Sequence, residues 1–192
     1  MDRGLDREAG LQGQSSRGPR KQGAKARGTF AMPATVSHPA LLAPGGDAAF
    51  RHVVYLMVTG FGRLQTCRDA FGRAAGLTGS QFAVLIGAAY TQGESGVGIG
   101  QLAEHVQLAA THVTTEVARL CRRGLLQKRP NPDDRRGVLV RLTARGEQTL
   151  LGVAPFVRAI NDILFDGIDR AQFAQLDAFL ARFVGNTEAA VA

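Results

Sequence analysis

From about Asp47 onward, apolar residues recur at Phe50, Val54, Met57, Phe61, Leu64, Phe71 and Ala75, at spacings of three, four and seven. That is one stripe of an α-helix, and it predicts a long helix ending near Gly76. Gly60 and Gly62 weaken its middle by roughly 1 kcal/mol each relative to Ala. Arg68 puts a cation on the stripe. Thr78 opens a second helix that should run to about Thr91. Its hydroxyl can cap, Gln81 stands at the capping-box position, and Leu77 faces Phe82 as a staple. A Gly-rich loop follows at 92–98, with room for a minimal strand at 97–99. Ile99, Leu102, Ala103 and Val106 then mark a short helix over 100–106. After a break at Gln107–Ala109, Val113, Val117 and Leu120 bury one face of a helix over 110–123, which Gly124 stops as a C-cap. Two short β-type runs, Leu125–Lys128 and Val138–Leu142, flank a polar tip of Pro, Asn, Asp and Arg, a hairpin signature. Thr143 can cap a fifth helix over about 144–165, in which Pro155 should produce a kink. Phe173, Leu176, Leu180 and Phe183 mark a sixth, over about 169–185.

Two short helices joined by a tight turn, the second polar and basic on its outer face, form a helix-turn-helix. With the hairpin behind it, the unit is a winged helix. The fold class expected is therefore mainly α with a small β-wing: a winged helix-turn-helix at about 77–143, plus an α-helical dimerisation region at about 47–76 and 144–186. The terminal helices carry more apolar surface than one small domain needs, which points either to a dimer interface or to core packing against the winged unit. Residues 1–46 are rich in Gly, Arg, Gln, Ser, Ala and Pro without helical period. They read as a disordered basic tail, or as an overextended reading frame if Met32 begins the chain. Residues 187–192 read as a short C-terminal tail.

Charge sharpens this organisation. Segment 119–145 holds nine Lys and Arg and only two acids, Asp133 and Asp134, a surplus equal to the net charge of +7 of the whole chain. A basic hairpin beside a short amphipathic helix is built to touch a polyanion, of which DNA is the first candidate. No apolar run approaches the roughly 18 residues that span a bilayer, and no apolar segment follows the N-terminal cations as a signal peptide requires. Cys67 and Cys121 make neither a disulfide framework nor a CxxC pair. The four His lack metal-ligand spacing. A cytoplasmic, reducing location is expected, with no metal, no cofactor and no membrane partner. No paired-carboxylate motif, nucleophile elbow or phosphate loop appears, so an enzyme is not expected.

The stretches LTGSQFAVL (77–85), IGQLAEHVQL (99–108) and VTTEVARLCRRGLLQKRPNPDDRRGVLVRLTARG (113–146), in this order, resemble the MarR family of bacterial transcriptional regulators. The resemblance runs from Asp47 to about Val184. It implies a two-fold homodimer that binds a palindromic operator in double-stranded DNA. It also implies a repressor released by a small aromatic, phenolic or carboxylate ligand. Arg136, held by Asp134, looks like the wing arginine that enters the minor groove, with Arg135 beside it on phosphate. Thr111, His112, Thr114 and Thr115 fall at the major-groove end of the recognition helix, with Arg119 and Arg122 further along it. Arg119 is open to two readings, a DNA contact or the partner of a wing acid. Thr115 departs from the family, where a basic residue is common, and Ala118 replaces a residue that is often acidic.

The family's pockets lie between the first, second and fifth helices, and Arg68 is the candidate receiver of a ligand carboxylate, which His52, Phe61 and Phe82 could join; an internal salt bridge or a snorkelled surface Arg is the other reading of Arg68. Two other functions stay open. One is a thiol-based redox sensor on the same scaffold, although neither cysteine matches the position used by the family's peroxide sensors. The other is an architectural DNA-binding protein that uses the basic tail.

Overall fold

A computed structural model of the chain describes residues 30–132 and 137–191. The chain divides into two units, and the boundary between Phe50 and Arg51 falls inside the first long helix.

In the first unit, residues that composition assigns to a tail carry local structure. Pro39–Leu41 form a 3-10 turn capped by His38. Ala43 and Gly46 exchange a pair of backbone hydrogen bonds, each 3.0 Å. The buried Asp47 carboxylate accepts from Thr35 N–H at 2.6 Å and from its hydroxyl at 2.7 Å. A short apolar and Pro-containing run closed by one buried acid lies below the resolution of a composition argument. Residues 35–46 of the expected tail thus carry local structure, while residues 1–29 lie outside the described residues.

From Ala48 onward the chain forms the elements that the hydrophobic pattern predicts: α1 (Ala48–Ala74), α2 (Gly79–Thr91), β1 (Val97–Gly98), α3 (Ile99–Val106), α4 (Ala110–Arg122), β2 (Leu126–Pro130), β3 (Val138–Leu142), α5 (Ala144–Leu164) and α6 (Arg170–Val191). The three strands make one antiparallel sheet in the order β1-β3-β2, with Val97 opposite Val140 and Leu126 opposite Leu142. Mainly helical, with a small antiparallel wing after a helix-turn-helix, this is the winged-helix architecture.

The core of the winged unit gathers aliphatic residues from α2, β1, α3, α4 and β3. Val84 and Leu85 of α2, Val97 of β1, Leu102 of α3, Val113, Val117 and Leu120 of α4, and Val140 of β3 are fully buried. Burying a Val or Leu side chain is worth about 1.5–3 kcal/mol, so this cluster holds α4 rigidly from behind. The Thr78–Gln81 capping box forms as expected and starts α2. At the far end of α4, Gly124 takes φ +71°, the left-handed value that ends a helix. Thr143 then joins two elements. Its hydroxyl donates to the Gly124 carbonyl at 2.6 Å and accepts from Gly146 N–H at 3.0 Å, so the start of α5 is locked to the end of α4.

Pro155 lies inside α5, which continues through it from Ala144 to Leu164. The sixth helix extends to Val191, beyond the apolar stripe that ends at Phe183. No described residue of α6 is buried, and α1 meets the core near its end, where Phe71 packs against it and Gly72 is buried. Phe71 packs edge-on to Phe82 and Phe156, with ring centroids 6.0 and 6.3 Å apart.

Candidate nucleic-acid interface and adjoining grooves

With Val113, Val117 and Leu120 turned inward, the opposite side of α4 faces out. Thr111, His112, Thr114, Thr115, Arg119 and Arg122 are all exposed, and Ala118 is partly so. The structure thus brings the expected reading residues onto one helix face. The N-cap position of the helix is Ala109, and no side chain caps it. Its first N–H groups are open to an anion, which the helix dipole also favours. The Thr114 hydroxyl donates to the Ala110 carbonyl at 2.8 Å, and that of Thr115 to the Thr111 carbonyl at 3.0 Å. Both donors are committed within the helix, so each threonine presents outward a hydroxyl lone pair and a methyl group. That combination suits a base amino group or a thymine methyl better than a phosphate.

Arg119 does not wait for an acid from the wing. Its Nη1 lies 2.6 Å from Oε1 of Glu116, one turn back on the same helix. Glu116 is 1% exposed. The same oxygen is 3.9 Å from Nε2 of His112. The reading of the apolar stripe at 113, 117 and 120 passes over Glu116, because a carboxylate is not expected on a core face. The Glu-x-x-Arg spacing of 116 and 119 is the signal that finds it.

The basic cluster of 119–145 also separates into two kinds of cation. Arg123 Nη1 donates to the Gly76 carbonyl at 2.9 Å and ties the end of α4 to the turn before α2. Arg141 donates to the Glu94 carbonyl and ties β3 to the loop before β1. These two brace the fold. Arg122, Lys128 and Arg129 lie exposed on α4 and β2. Asp134, Arg135 and Arg136 lie outside the described residues.

The four expected ligand residues do not share one site. Phe82 lines a groove of about 560 Å³ between α2 and α5, with Ile86, Tyr90, Val153, Val157 and Arg158. Arg68 lines another of about 320 Å³, with Tyr90, His105 and Gln107, and donates a hydrogen bond to Gln65 Oε1. Phe61 lines a third of about 430 Å³, beside Leu164 and Phe165. His52 is exposed on α1 and lines none of these three. Ile86 and Tyr90 border both of the first two grooves. Arg158, which the sequence reading omits, is a cation at the edge of the largest groove. Its signal is its place one turn beyond Ala154 on the face that Val153 and Val157 bury.

Both cysteines are free and partly buried. Burial pushes the Cys121 thiol above its ordinary range, and the Lys128 charge only partly offsets this. Such a thiol stays protonated at neutral pH and is a poor nucleophile. Among the described residues, no cluster of three His, Cys, Asp or Glu is placed to hold a metal ion. No helix among them is long and apolar enough to cross a membrane.

A helix-turn-helix with a braced wing and an outward polar helix face defines a winged-helix DNA-binding protein. Residues 77–138 match the model of the MarR family. In its fold, and in sequence over residues 77–138, the chain is similar to the MarR family of transcription regulators. Among solved structures, a probable transcriptional regulator from Pseudomonas aeruginosa is similar at 29% identity and TM-score 0.54, over 68% of this chain and 96% of that one. The PcaV transcriptional regulator from Streptomyces coelicolor, solved in complex with its natural ligand, is similar at 26% identity and TM-score 0.52, over 64% of this chain and 87% of that one. A MarR family regulator from Silicibacter pomeroyi has 23% identity and TM-score 0.62, over 70% of this chain and 88% of that one. No curated protein matches the sequence.

Proposed function

We propose that the chain is a sequence-specific repressor that binds a palindromic operator as a homodimer in the cytoplasm and leaves it when a small aromatic acid binds. The observation that carries this is the outer face of α4. A helix locked from behind by Val113, Val117 and Leu120 presents Thr111, His112, Thr114 and Thr115 in its first two turns and opens with an uncapped N-terminus. Phosphates at the helix start set the position, and the side chains of the first turns meet base edges. The exposed Arg122, Lys128 and Arg129 add phosphate contacts on either side. Arg135 and Arg136 complete the interface in this reading, with Asp134 aiming Arg136 into the minor groove.

Two further features support the dimer and the effector. Val54, Leu56, Phe61 and Leu64 of α1 and Phe173, Phe179 and Phe183 of α6 are exposed in the single chain. Large aromatic and aliphatic side chains exposed along two helices are the surface that a second copy would bury. The groove between α2 and α5 joins an apolar lining to one cation, Arg158, which fits an aromatic carboxylate. Arg68 lines the smaller groove and is already bonded to Gln65, so Arg158 is the stronger anion receiver of the two. The similar PcaV regulator, solved in complex with its natural ligand, supports a ligand-responsive reading.

Selection of bound genomic fragments, followed by titration of operator and random duplexes at one salt concentration, tests the reading. A preference of about a thousandfold or more is expected for a specific regulator. A ratio near one would overturn it in favour of architectural DNA binding. A panel of aromatic acids should then release the operator from the wild type, and Arg158→Met should abolish release while keeping operator affinity. If Arg68→Met abolishes release instead, the effector lies in the smaller groove.

A further inference from the structure

Glu116 is a buried acid on the helix that reads DNA. Its side chain is 2% exposed, against 46% for His112 and 51% for Arg119. A single carboxylate oxygen, Oε1, faces both neighbours: Arg119 Nη1 at 2.6 Å, one turn toward the C-terminus, and His112 Nε2 at 3.9 Å, one turn toward the N-terminus. Oε2 is buried and has no hydrogen-bond partner among the described residues. The other buried side chains of α4 are Val113, Val117 and Leu120, so packing alone would be served by an apolar side chain with no desolvation cost. An anion is also out of place on a helix that approaches phosphates. A carboxylate that carries both penalties has its effect on the polar groups it faces: it is bonded to Arg119 and stands 3.9 Å from His112.

We propose that Glu116 is the positioning residue of the DNA-reading helix. This rests on the reading of α4 given above. Anchored through one N–H to a buried oxygen, the Arg119 guanidinium keeps one plane and turns its remaining donors outward. A free arginine would have to be ordered at the moment of binding, which weakens association. Because the anchoring oxygen is out of water, salt screens the pair less than it screens an exposed one. Arg119 lies nine residues beyond Ala110, about 13 Å along the helix. The first turn enters the groove, so Arg119 meets a phosphate oxygen while His112 faces base edges. Glu116 therefore sets the spacing between a base-facing group and a phosphate-facing group, and that spacing selects one register on the duplex.

The test uses the full chain and three variants: Glu116→Gln, which keeps the shape and removes the charge, Arg119→Ala, and the double variant. Each is titrated with the selected operator and with a random duplex of equal length, and its thermal unfolding is recorded. Glu116→Gln should lower the operator-to-random ratio about tenfold, the size of coupling common between contacting groups, with affinity for random DNA unchanged or slightly tighter. In the Arg119→Ala background the same change should add less than about twofold. Arg119→Lys, at an exposed position that leaves the core untouched, should reproduce the lowered ratio because lysine keeps the charge and loses the planar fork.

An unchanged ratio in Glu116→Gln, a full effect persisting without Arg119, or a ratio retained by Arg119→Lys each overturns the proposal. A wild-type chain without operator preference would overturn the assignment of α4 as the reading helix and this inference with it, and so is told apart from failure of Glu116 alone.

Discussion

At the residue scale, the interface divides cations that brace from cations that reach. Arg123 and Arg141 each donate to a backbone carbonyl 47 residues away in sequence, and losing either would loosen the scaffold more than the DNA contact. Arg136 belongs to the second kind in the proposed reading. Arg136→Ala should cost roughly 1–3 kcal/mol of operator affinity, the range for a lost specific contact, as read in a titration at matched salt. Gly146 shows the opposite constraint, where nothing fits. A Cβ there would overlap the Leu125 carbonyl oxygen, a backbone atom that cannot rotate away. Gly146→Ala should therefore destabilise the fold by about 1–3 kcal/mol, the usual cost of overpacking, seen as a lower midpoint in urea. Cys121 is a third case. Its thiol is pushed up by burial, so at neutral pH the nucleophilic thiolate is scarce. Peroxide should leave operator binding unchanged, and Cys67→Ser with Cys121→Ser should behave as wild type in the same titration. Peroxide-induced release abolished by either change would restore the redox reading.

At the scale of elements, the two ends of α4 are secured differently. The N-terminal end has no side-chain cap and is open to an anion. The C-terminal end is closed by Gly124 and by Thr143, which bonds to the Gly124 carbonyl while it caps α5. The start of α5 and the end of α4 are thus joined at Thr143, whose N–H also donates to the Leu125 carbonyl at 3.1 Å, and the groove lined by Phe82 and Arg158 lies against α5. Thr143→Ala removes the cap and the bridge together. The cap alone is worth about 0.5–2 kcal/mol, and the variant should unfold correspondingly earlier in a thermal melt. In the proposed reading it should also respond less to the effector, measured as a smaller fall in operator affinity at saturating ligand. A variant as stable as wild type would show that Thr143 is neither cap nor bridge.

At the scale of the whole molecule, large apolar side chains along α1 and α6 stay exposed in one chain. Residues Phe165 and Phe173 pair at 5.9 Å, and Phe179 stacks on Phe183 at 5.8 Å, yet Phe173, Phe179 and Phe183 remain exposed. A second copy is the proposed cover. A chain truncated after Asp166, which lacks α6, should sediment as a monomer and lose the palindrome together with the dimer. A truncated chain that stays dimeric and keeps its operator would place the interface elsewhere.

The order of elements was legible in the sequence because each has a local cause. Period 3.6 marks α1 to α6, Thr78 and Thr143 cap, and Gly124 stops α4. The outward face of α4 was legible for the same reason, since three inward apolar positions dictate the rest. What local pattern could not decide is which charged groups meet. Glu116 lies on the core side of α4 and holds Arg119, and Arg123 and Arg141 find carbonyls far along the chain. Arg68, Phe61 and Phe82 share apolar stripes in the sequence and yet line three different grooves, while Arg158 enters the largest. Periodicity reports the face on which a residue stands. Ion pairs and grooves depend on the distance between faces of different elements, and only the packed core sets that distance.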